Sequence, residues 1–188
     1  MRTWNLLGAA ALVMMALGAG CGGGAGSAAG PEVTPGLPAA TALSYLDPTD
    51  PGQWRLVRDS GSSASLLILD LLAPAGSSGR GVTFVLAADP AKVAWQAVDG
   101  AALVKNLGFS GSPVRRASPQ DGGLRVLLAQ TPGTPVSYGA APLLSVALEL
   151  GGQVEPGTIA LAASQAAHLG AAATAETITI AVGTLQAR

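Results

Sequence analysis

The stretch GVTFVLAADP, residues 81–90, has the clearest strand pattern of this chain. Its apolar side chains recur at every second position, so Val82, Phe84 and Leu86 share one face of an extended strand. The Asp89-Pro90 pair that follows favours a turn, because Pro has a fixed φ and Asp bonds to nearby backbone amides. The stretch therefore predicts a half-buried β-strand that ends in a turn.

The same pattern recurs along the chain. The run TITIAV, residues 177–182, again places apolar side chains at every second position, and Pro-Gly pairs at 132–133 and 156–157 separate such runs. Many short strands with frequent turns predict an all-β domain, an antiparallel immunoglobulin-like or jelly-roll β-sandwich of about nine strands. The candidate strands are 53–58, 64–72, 81–88, 92–98, 102–107, 123–130, 142–150, 157–163 and 176–185.

One alanine-rich stretch, residues 162–175, has no alternating pattern. Alanine favours helix, but Gly170 interrupts the stretch and no amphipathic stripe is present. We interpret the stretch as a loop that carries His168, the only histidine of the chain.

The composition excludes several classes of protein. Apolar residues make up 49% of the chain and charged residues 11%, with a net charge of −1, whereas disordered chains have low hydrophobicity and high net charge. Arg115-Arg116 is the only adjacent basic pair, so no basic stripe is available to neutralise phosphates. We therefore predict a folded domain that does not bind nucleic acid.

The amino terminus is typical of a secretory signal. Arg2 gives a positive start, an uncharged apolar run of twelve residues spans 6–17, and small residues lead to Cys21. This run is too short for a membrane-spanning helix, which needs roughly 20 apolar residues. We predict that residues 1–20 are a signal peptide and are removed.

Cys21 is the only cysteine, and the segment Leu17-Gly-Ala-Gly-Cys21 resembles the lipobox of bacterial lipoproteins. The usual pattern has Leu three positions before the cysteine, where this chain has Gly18. The resemblance implies that Cys21 is lipidated, and several acyl chains anchor a protein firmly because each buried methylene contributes about 0.8 kcal/mol. A lone cysteine without a disulfide partner fits this role.

The residues after Cys21 are rich in Gly, Ala and Pro, which is typical of a tether. We expect a lipidated tether over 21–44 and a single folded domain over 45–188. The predicted location is the cell envelope, outside the cytoplasm, on the membrane. Gly22 follows the cysteine instead of the Asp that retains lipoproteins in the inner membrane of enteric bacteria, which favours the outer membrane.

The segments GVTFVLAADPAKVAWQAV, GGLRVLLAQTPGTPVSYGAAPLLSVALEL, GTIALAASQAAHL and TITIAVGTLQ, in this order over 62–185, resemble a cohesin-like domain. Asp89-Pro90 occupies the turn of the family pattern, and Ala88 stands where the family usually has Tyr. The resemblance implies a jelly-roll sandwich related to bacterial carbohydrate-binding modules. Cohesins of cellulosomes bind dockerins through one sheet face, but this chain has no dockerin and no catalytic module. The apolar strand of the pattern is supplied by Leu144, Val146, Leu148 and Leu150.

The sequence contains no recognisable catalytic motif, and we predict no enzyme activity and no cofactor. His168 has no motif around it, and no Gly-x-Ser-x-Gly nucleophile elbow is present. Zinc would need several Cys or His ligands, and the chain has one cysteine and one histidine. Calcium at Asp47 and Asp50 is an alternative, although Asp in such turns usually bonds to its own backbone. Further turn aspartates are Asp89, Asp99 and Asp121.

Carbohydrate binding would require exposed aromatic rings for stacking. Phe84 alternates with apolar neighbours and is predicted to be core, and the same applies to Trp95 in KVAWQAV. Trp54 and Tyr45 flank a Pro-rich entry and are candidates for exposure, although aromatic residues at such a place more commonly cover the open end of the sandwich. The remaining aromatic residues of the predicted domain are Phe109 and Tyr138.

Two functions remain open at this point. The first is a non-catalytic binding or assembly lipoprotein that contacts a protein partner through a sheet face or an edge strand. The alternative is a carbohydrate-binding module that holds polysaccharide at the cell envelope. The ligand-binding residues are unknown. Arg115-Arg116 is predicted to lie in a turn or an edge strand, where charge discourages aggregation or contacts a partner.

Overall fold

The structure is a computed structural model, and it describes residues 38–98, 100–120, 122–130 and 134–188. The predicted signal peptide, Cys21 and most of the predicted tether lie outside the described residues, as do Asp99, Asp121 and the 132–133 turn. The described residues contain β-strands and no helix. The strands are β1 Leu43–Leu46, β2 Trp54–Arg58, β3 Leu66–Leu72, β4 Ser78–Ala88, β5 Val93–Gln96, β6 Lys105–Asn106, β7 Val114–Gln120, β8 Gly123–Ala129, β9 Val136–Ser137, β10 Leu144–Leu150, β11 Gly157–Ile159, β12 Leu161–Gly170, β13 Ala175–Thr177, β14 Ile180–Ala181 and β15 Thr184–Ala187.

The strand predicted from GVTFVLAADP, β4, lies at the centre of one sheet, here called the front sheet. Its strand order is β13-β12-β4-β8-β7, and β9 pairs with the start of β4. All of these pairs are antiparallel. Val82, Phe84 and Leu86 are all buried, as the period of two predicts. Asp89 accepts a hydrogen bond from the Ala91 amide at 3.0 Å and so forms the predicted turn.

A second sheet, the back sheet, has the order β14-β2-β3-β10-β5, with β6 also paired to β10. Its central strands, β3 and β10, are antiparallel and are rich in leucine. The inward leucines of both strands are essentially inaccessible to solvent, and they join the inward residues of the front sheet in one hydrophobic core. The two sheets therefore form the predicted all-β sandwich.

A small third sheet, β1-β15-β11, closes one part of the sandwich. Tyr45 of β1 ties this sheet to the back sheet, because its hydroxyl donates to the Leu56 carbonyl at 3.0 Å and accepts from the Gly183 amide at 2.6 Å. Burial raises the pKa of Tyr45 to about 12, with the Gly183 amide opposing the shift and Asp47 adding to it. The fold thus begins before Tyr45, with Leu43 in β1 and Ala40 in the core.

The alanine-rich stretch is the main error of the strand prediction. Residues 161–170 form β12, a long strand paired with β4, and not a loop. The register shifts between Ser164 and Ala167, and Gln165 has φ of 48°. Ala163 faces inward before this bulge and Ala166 and His168 face inward after it, so the alternation changes phase within the strand. No period of two is visible in the sequence because the phase changes at the bulge and because alanine occupies both faces of the strand, with Ala162 and Ala167 outward and Ala163 and Ala166 inward.

The predicted last strand, residues 176–185, is divided between three sheets. Ala175–Thr177 pairs with β12 in the front sheet, Ile180–Ala181 runs parallel to β2 in the back sheet, and Thr184–Ala187 is central in the small sheet. Chain segments that cross from sheet to sheet in this way, and short strands such as β9, account for the larger number of strands than the nine predicted.

Candidate functional site

The outward side of the front sheet carries apolar side chains across its strands. Thr83 of β4 lies opposite Leu127 of β8 and Ala167 of β12. Leu169 of β12 lies opposite Gly81, which in turn lies opposite Ala129 of β8. We call the surface formed by Thr83, Leu127, Ala129, Ala167 and Leu169 the outer face; each of these residues is partly accessible to solvent.

A groove of about 200 Å³ lies in this outer face. Gly81 forms its floor, since a Cβ at this position would lie 2.8 Å from the Leu128 carbonyl oxygen and 3.0 Å from Ala129 Cβ. Any other residue at position 81 would therefore fill the groove or displace β8. Its lining is almost entirely apolar, with Thr83, Leu127 and Leu169 among the walls.

The outer face ends at a charged border on one side. Val114 of β7, opposite Ala129, is 41% exposed, and Arg116 of the same strand lies opposite Leu127. Arg125 of β8 donates a hydrogen bond to Gln165 Oε1 on β12 at 3.1 Å. An apolar centre with a polar border is the arrangement that protein–protein interfaces use.

The outer face has no group suited to covalent or acid–base catalysis among its described side chains. Its one hydroxyl, on Thr83, donates to the Val126 carbonyl at 2.9 Å. The outer face can exclude water from a partner's apolar side chains, and the arginines at its border can contact a partner's carboxylates.

His168 is buried in the sandwich and does not lie in a solvated loop, which corrects the sequence prediction. It lies on β12 opposite Val82 and is 7% exposed. Its ring lies 5.2 Å from that of Trp54 and 5.6 Å from that of Tyr138, centroid to centroid. The Tyr138 ring also contacts Phe109 at 6.0 Å in an edge-on arrangement, so the four rings form one buried cluster.

Two polar atoms of this cluster, His168 Nε2 and the Tyr138 hydroxyl, are buried without a hydrogen bond of good geometry among the described residues. Burial lowers the pKa of His168, which the nearby Glu176 carboxylate and the Ser78 backbone partly oppose. Burial also raises the pKa of Tyr138 to about 12, against a contact with the Gly81 backbone. The histidine is therefore neutral near pH 7, and its ring packs in the core.

The aromatic residues considered for sugar stacking are mostly buried. Trp54 and Tyr45 are 7% and 9% accessible, so of the two roles considered for them the structure has the packing role and not the exposed one. Phe84 is in the core as predicted. Trp95 is only partly buried, packed against the core, and it borders a groove between β5 of the back sheet and the ends of β7 and β8 of the front sheet.

Of the described turn aspartates considered for calcium, Asp50 bonds within its own turn, as the simpler interpretation of the sequence has it, whereas Asp47 bonds to the backbone of β2. Asp50 accepts from the Gly52 amide at 2.8 Å and from the Gln53 side chain at 2.8 Å, and Asp47 accepts from the Arg58 amide at 2.8 Å. Within the described part of the chain, no three His, Cys, Asp or Glu side chains are grouped to hold a metal ion.

Arg115 and Arg116 lie on β7, the edge strand of the front sheet, as one of the two predicted locations has it. The sequence analysis did not find the outer face, because β12 supplies Ala167 and Leu169 and was interpreted as a loop. The signal that could have found it is the pair Leu127 and Ala129 alternating with buried Val126 and Leu128 on β8.

The described residues contain no helix that is both long and apolar enough to span a bilayer.

No protein-family profile matches the sequence, and no curated protein matches it. Solved structures similar to this chain include a type II cohesin domain from the cellulosome of Acetivibrio cellulolyticus, with 9% identity and a TM-score of 0.48 over 71% of this chain and 93% of that chain. A cohesin module from a Clostridium perfringens family 33 glycoside hydrolase has 11% identity and a TM-score of 0.46, with 80% and 97% covered. A non-cellulosomal cohesin from the archaeon Archaeoglobus fulgidus has 11% identity and a TM-score of 0.44, with 74% and 86% covered.

Proposed function

We propose that this chain is a non-catalytic binding module of the cell envelope that takes a protein partner on its outer face. Lipid on Cys21 holds the module at the membrane, on the side away from the cytoplasm, and the outer membrane is the preferred site. The observation that carries the proposal is the outer face itself. It is a surface of mostly apolar, small and medium side chains on three neighbouring strands, with Arg116 beside it on β7 and Arg125 beyond Leu127 on β8.

The chemistry of this surface suits a protein partner better than a polysaccharide. The partner's apolar side chains can enter the groove over Gly81, and its carboxylates can meet the arginines at the border. Sugar recognition uses accessible aromatic rings, whereas among the described aromatic rings only that of Trp95 is partly accessible and those of Trp54, Phe109 and Tyr138 are buried.

Site-specific photo-crosslinking tests the outer face directly. A photoreactive phenylalanine analogue replaces Leu127 on the outer face or, as the control, Leu107, which is 41% exposed and lies outside it. In intact cells we expect a discrete protein adduct from position 127 and none from position 107. Equal adducts from both positions, or none from either, would contradict the proposed surface.

The anchor is tested separately. Mass spectrometry of the purified mature protein should show an acylated amino-terminal Cys21, and Cys21→Ser should release the protein from membranes. An unmodified thiol at position 21 would reject the anchor and would leave the outer face untouched, so the two parts of the proposal can fail independently.

A further inference from the structure

The buried aromatic cluster joins the two large sheets around a histidine that can gain a charge. Trp54 belongs to β2 of the back sheet, His168 belongs to β12 of the front sheet, and Tyr138 follows directly after β9. A Cβ at Gly79 of β4 would lie 2.6 Å from the Tyr138 hydroxyl oxygen and closer still to His168 Nε2, so both polar atoms lie against the bare backbone of this glycine. A proton taken up by the ring would therefore place a charge between packed sheets, at a position inaccessible to solvent.

The charged groups around the His168 ring lie on two neighbouring strands. Glu176 of β13 is exposed and lies opposite His168 in the strand register, and its carboxylate favours the charged ring. Arg80 of β4 donates from Nε to a backbone carbonyl oxygen in the turn between β12 and β13, at 3.3 Å. The side chain that β2 presents to the ring is that of Trp54, and the described strands β9 and β12 contain no charged residue. The remaining titratable neighbour, Tyr138, stays protonated because burial raises its pKa to about 12. Glu176 thus offsets only part of the cost of burying a charge, since the pKa of His168 remains below its ordinary value.

The segment 134–138 contributes Tyr138 to the cluster and is held by few hydrogen bonds. Its strand, β9, consists of two residues that pair with the start of β4, and the Tyr138 amide donates to the Ser77 carbonyl oxygen at 2.8 Å. By contrast, β12 pairs with β4 along most of its length, and β13, although short, carries the Glu176 carboxylate that favours the charged ring in place. A short strand at the margin of a sheet opens at a lower free energy than long central strands. Opening of 134–138 is therefore the least costly way for water to reach His168 Nε2.

We propose that acid opens the sandwich locally, because protonation of His168 releases the segment 134–138 from β4 and lets water reach the charged ring. Near pH 7 the ring is neutral and the closed form dominates. The open form binds a proton more tightly than the closed form, because its ring is hydrated, so the population of the open form rises as the pH falls. The sheets themselves stay folded, and the opening uncovers the rings of Trp54 and Tyr138.

Amide hydrogen exchange followed by mass spectrometry tests this proposal on the purified full chain. Protection is compared at pH 7, 6 and 5, after correction for the pH dependence of the chemical exchange step. One proton changes an opening equilibrium by at most about tenfold per pH unit, and an exposed histidine has a pKa of about 6.5. We therefore expect peptides that span 134–138 to lose protection by about tenfold between pH 7 and pH 5. Peptides from β3, Leu66–Leu72, should keep their protection.

Three variants separate titration of the histidine from a general effect of acid. His168→Phe keeps a ring and cannot titrate, so the protection of 134–138 should no longer depend on pH. Glu176→Gln removes the carboxylate that favours the charged ring in the closed form, so the loss of protection should be larger than in the wild type. Glu155→Gln, at an exposed position before β11, is the matched control and should behave as the wild type does.

The wild-type exchange pattern decides the proposal even if His168→Phe does not fold. No loss of protection at 134–138, or a loss spread evenly over all strands, would overturn local opening. An equal loss in the wild type and in His168→Phe, or a smaller loss in Glu176→Gln than in the wild type, would overturn the role of the histidine.

Discussion

The substitution Gly79→Ala tests the packing between the aromatic cluster and the front sheet. A Cβ at position 79 of β4 would lie 2.5 Å from the Leu169 carbonyl oxygen and 2.6 Å from the Tyr138 hydroxyl oxygen, and closer still to His168 Nε2. Real Cβ atoms do not approach other heavy atoms so closely, so the added methyl group must displace its neighbours. Leu169 O belongs to the backbone of a paired strand and cannot rotate away.

The expected cost follows from this geometry. Overpacking of a core typically costs about 1–3 kcal/mol, and a fixed backbone neighbour places this substitution near the upper value, at about 3 kcal/mol. With a urea m-value of about 2 kcal/mol/M, the unfolding midpoint would fall by about 1.5 M. Urea denaturation followed by circular dichroism measures both the midpoint and the m-value.

Gly139→Ala is the matched control, because a Cβ there meets nothing within 4 Å. It should change stability by no more than about 0.5 kcal/mol. Adding Tyr138→Phe to Gly79→Ala removes one of the clashing atoms, so the double variant should be more stable than the sum of the single effects predicts. If Gly79→Ala is no less stable than Gly139→Ala, the packing described for this cluster is wrong.

Three further predictions concern titration, a buried hydrogen bond and backbone strain. The pKa of His168 is lower in the folded state than in the unfolded state, so the unfolded chain binds more protons below about pH 6.5. The free energy of unfolding therefore falls as the pH decreases. His168→Phe removes this titration and should flatten the curve of urea midpoint against pH between 7 and 5. Ser145 Oγ donates to Asp70 Oδ1 at 2.6 Å in a buried pair, so Ser145→Ala should cost about 1.5–3 kcal/mol in urea denaturation, and a cost under about 0.5 kcal/mol would show that this bond adds no stability. Ala173 has φ of 60°, so Ala173→Gly should raise stability by about 0.5–1 kcal/mol, and a lower thermal midpoint would count against strain at this turn.

Local patterns were sufficient for the class of the fold. The alternation around Phe84 predicts a strand with one buried side, and the turn formed by Asp89 needs only its own side chain and the Ala91 amide. The edge position of Arg115 and Arg116 could also be predicted. The side chains of two adjacent residues point to opposite sides of a strand, and two charges are tolerated there only where both sides of the strand are accessible to solvent.

The all-β class follows from the sequence, because side-chain alternation and turn formation depend on neighbours a few positions away. The three-dimensional structure was needed to show that 161–170 is a strand, that 176–185 is divided between three sheets and that Trp54, Tyr45 and His168 are buried. A phase change at the bulge and alanine on both faces of β12 hide the period of two, and burial of a single ring depends on which distant strand covers it. The outer face likewise exists only once β12, β4 and β8 lie side by side.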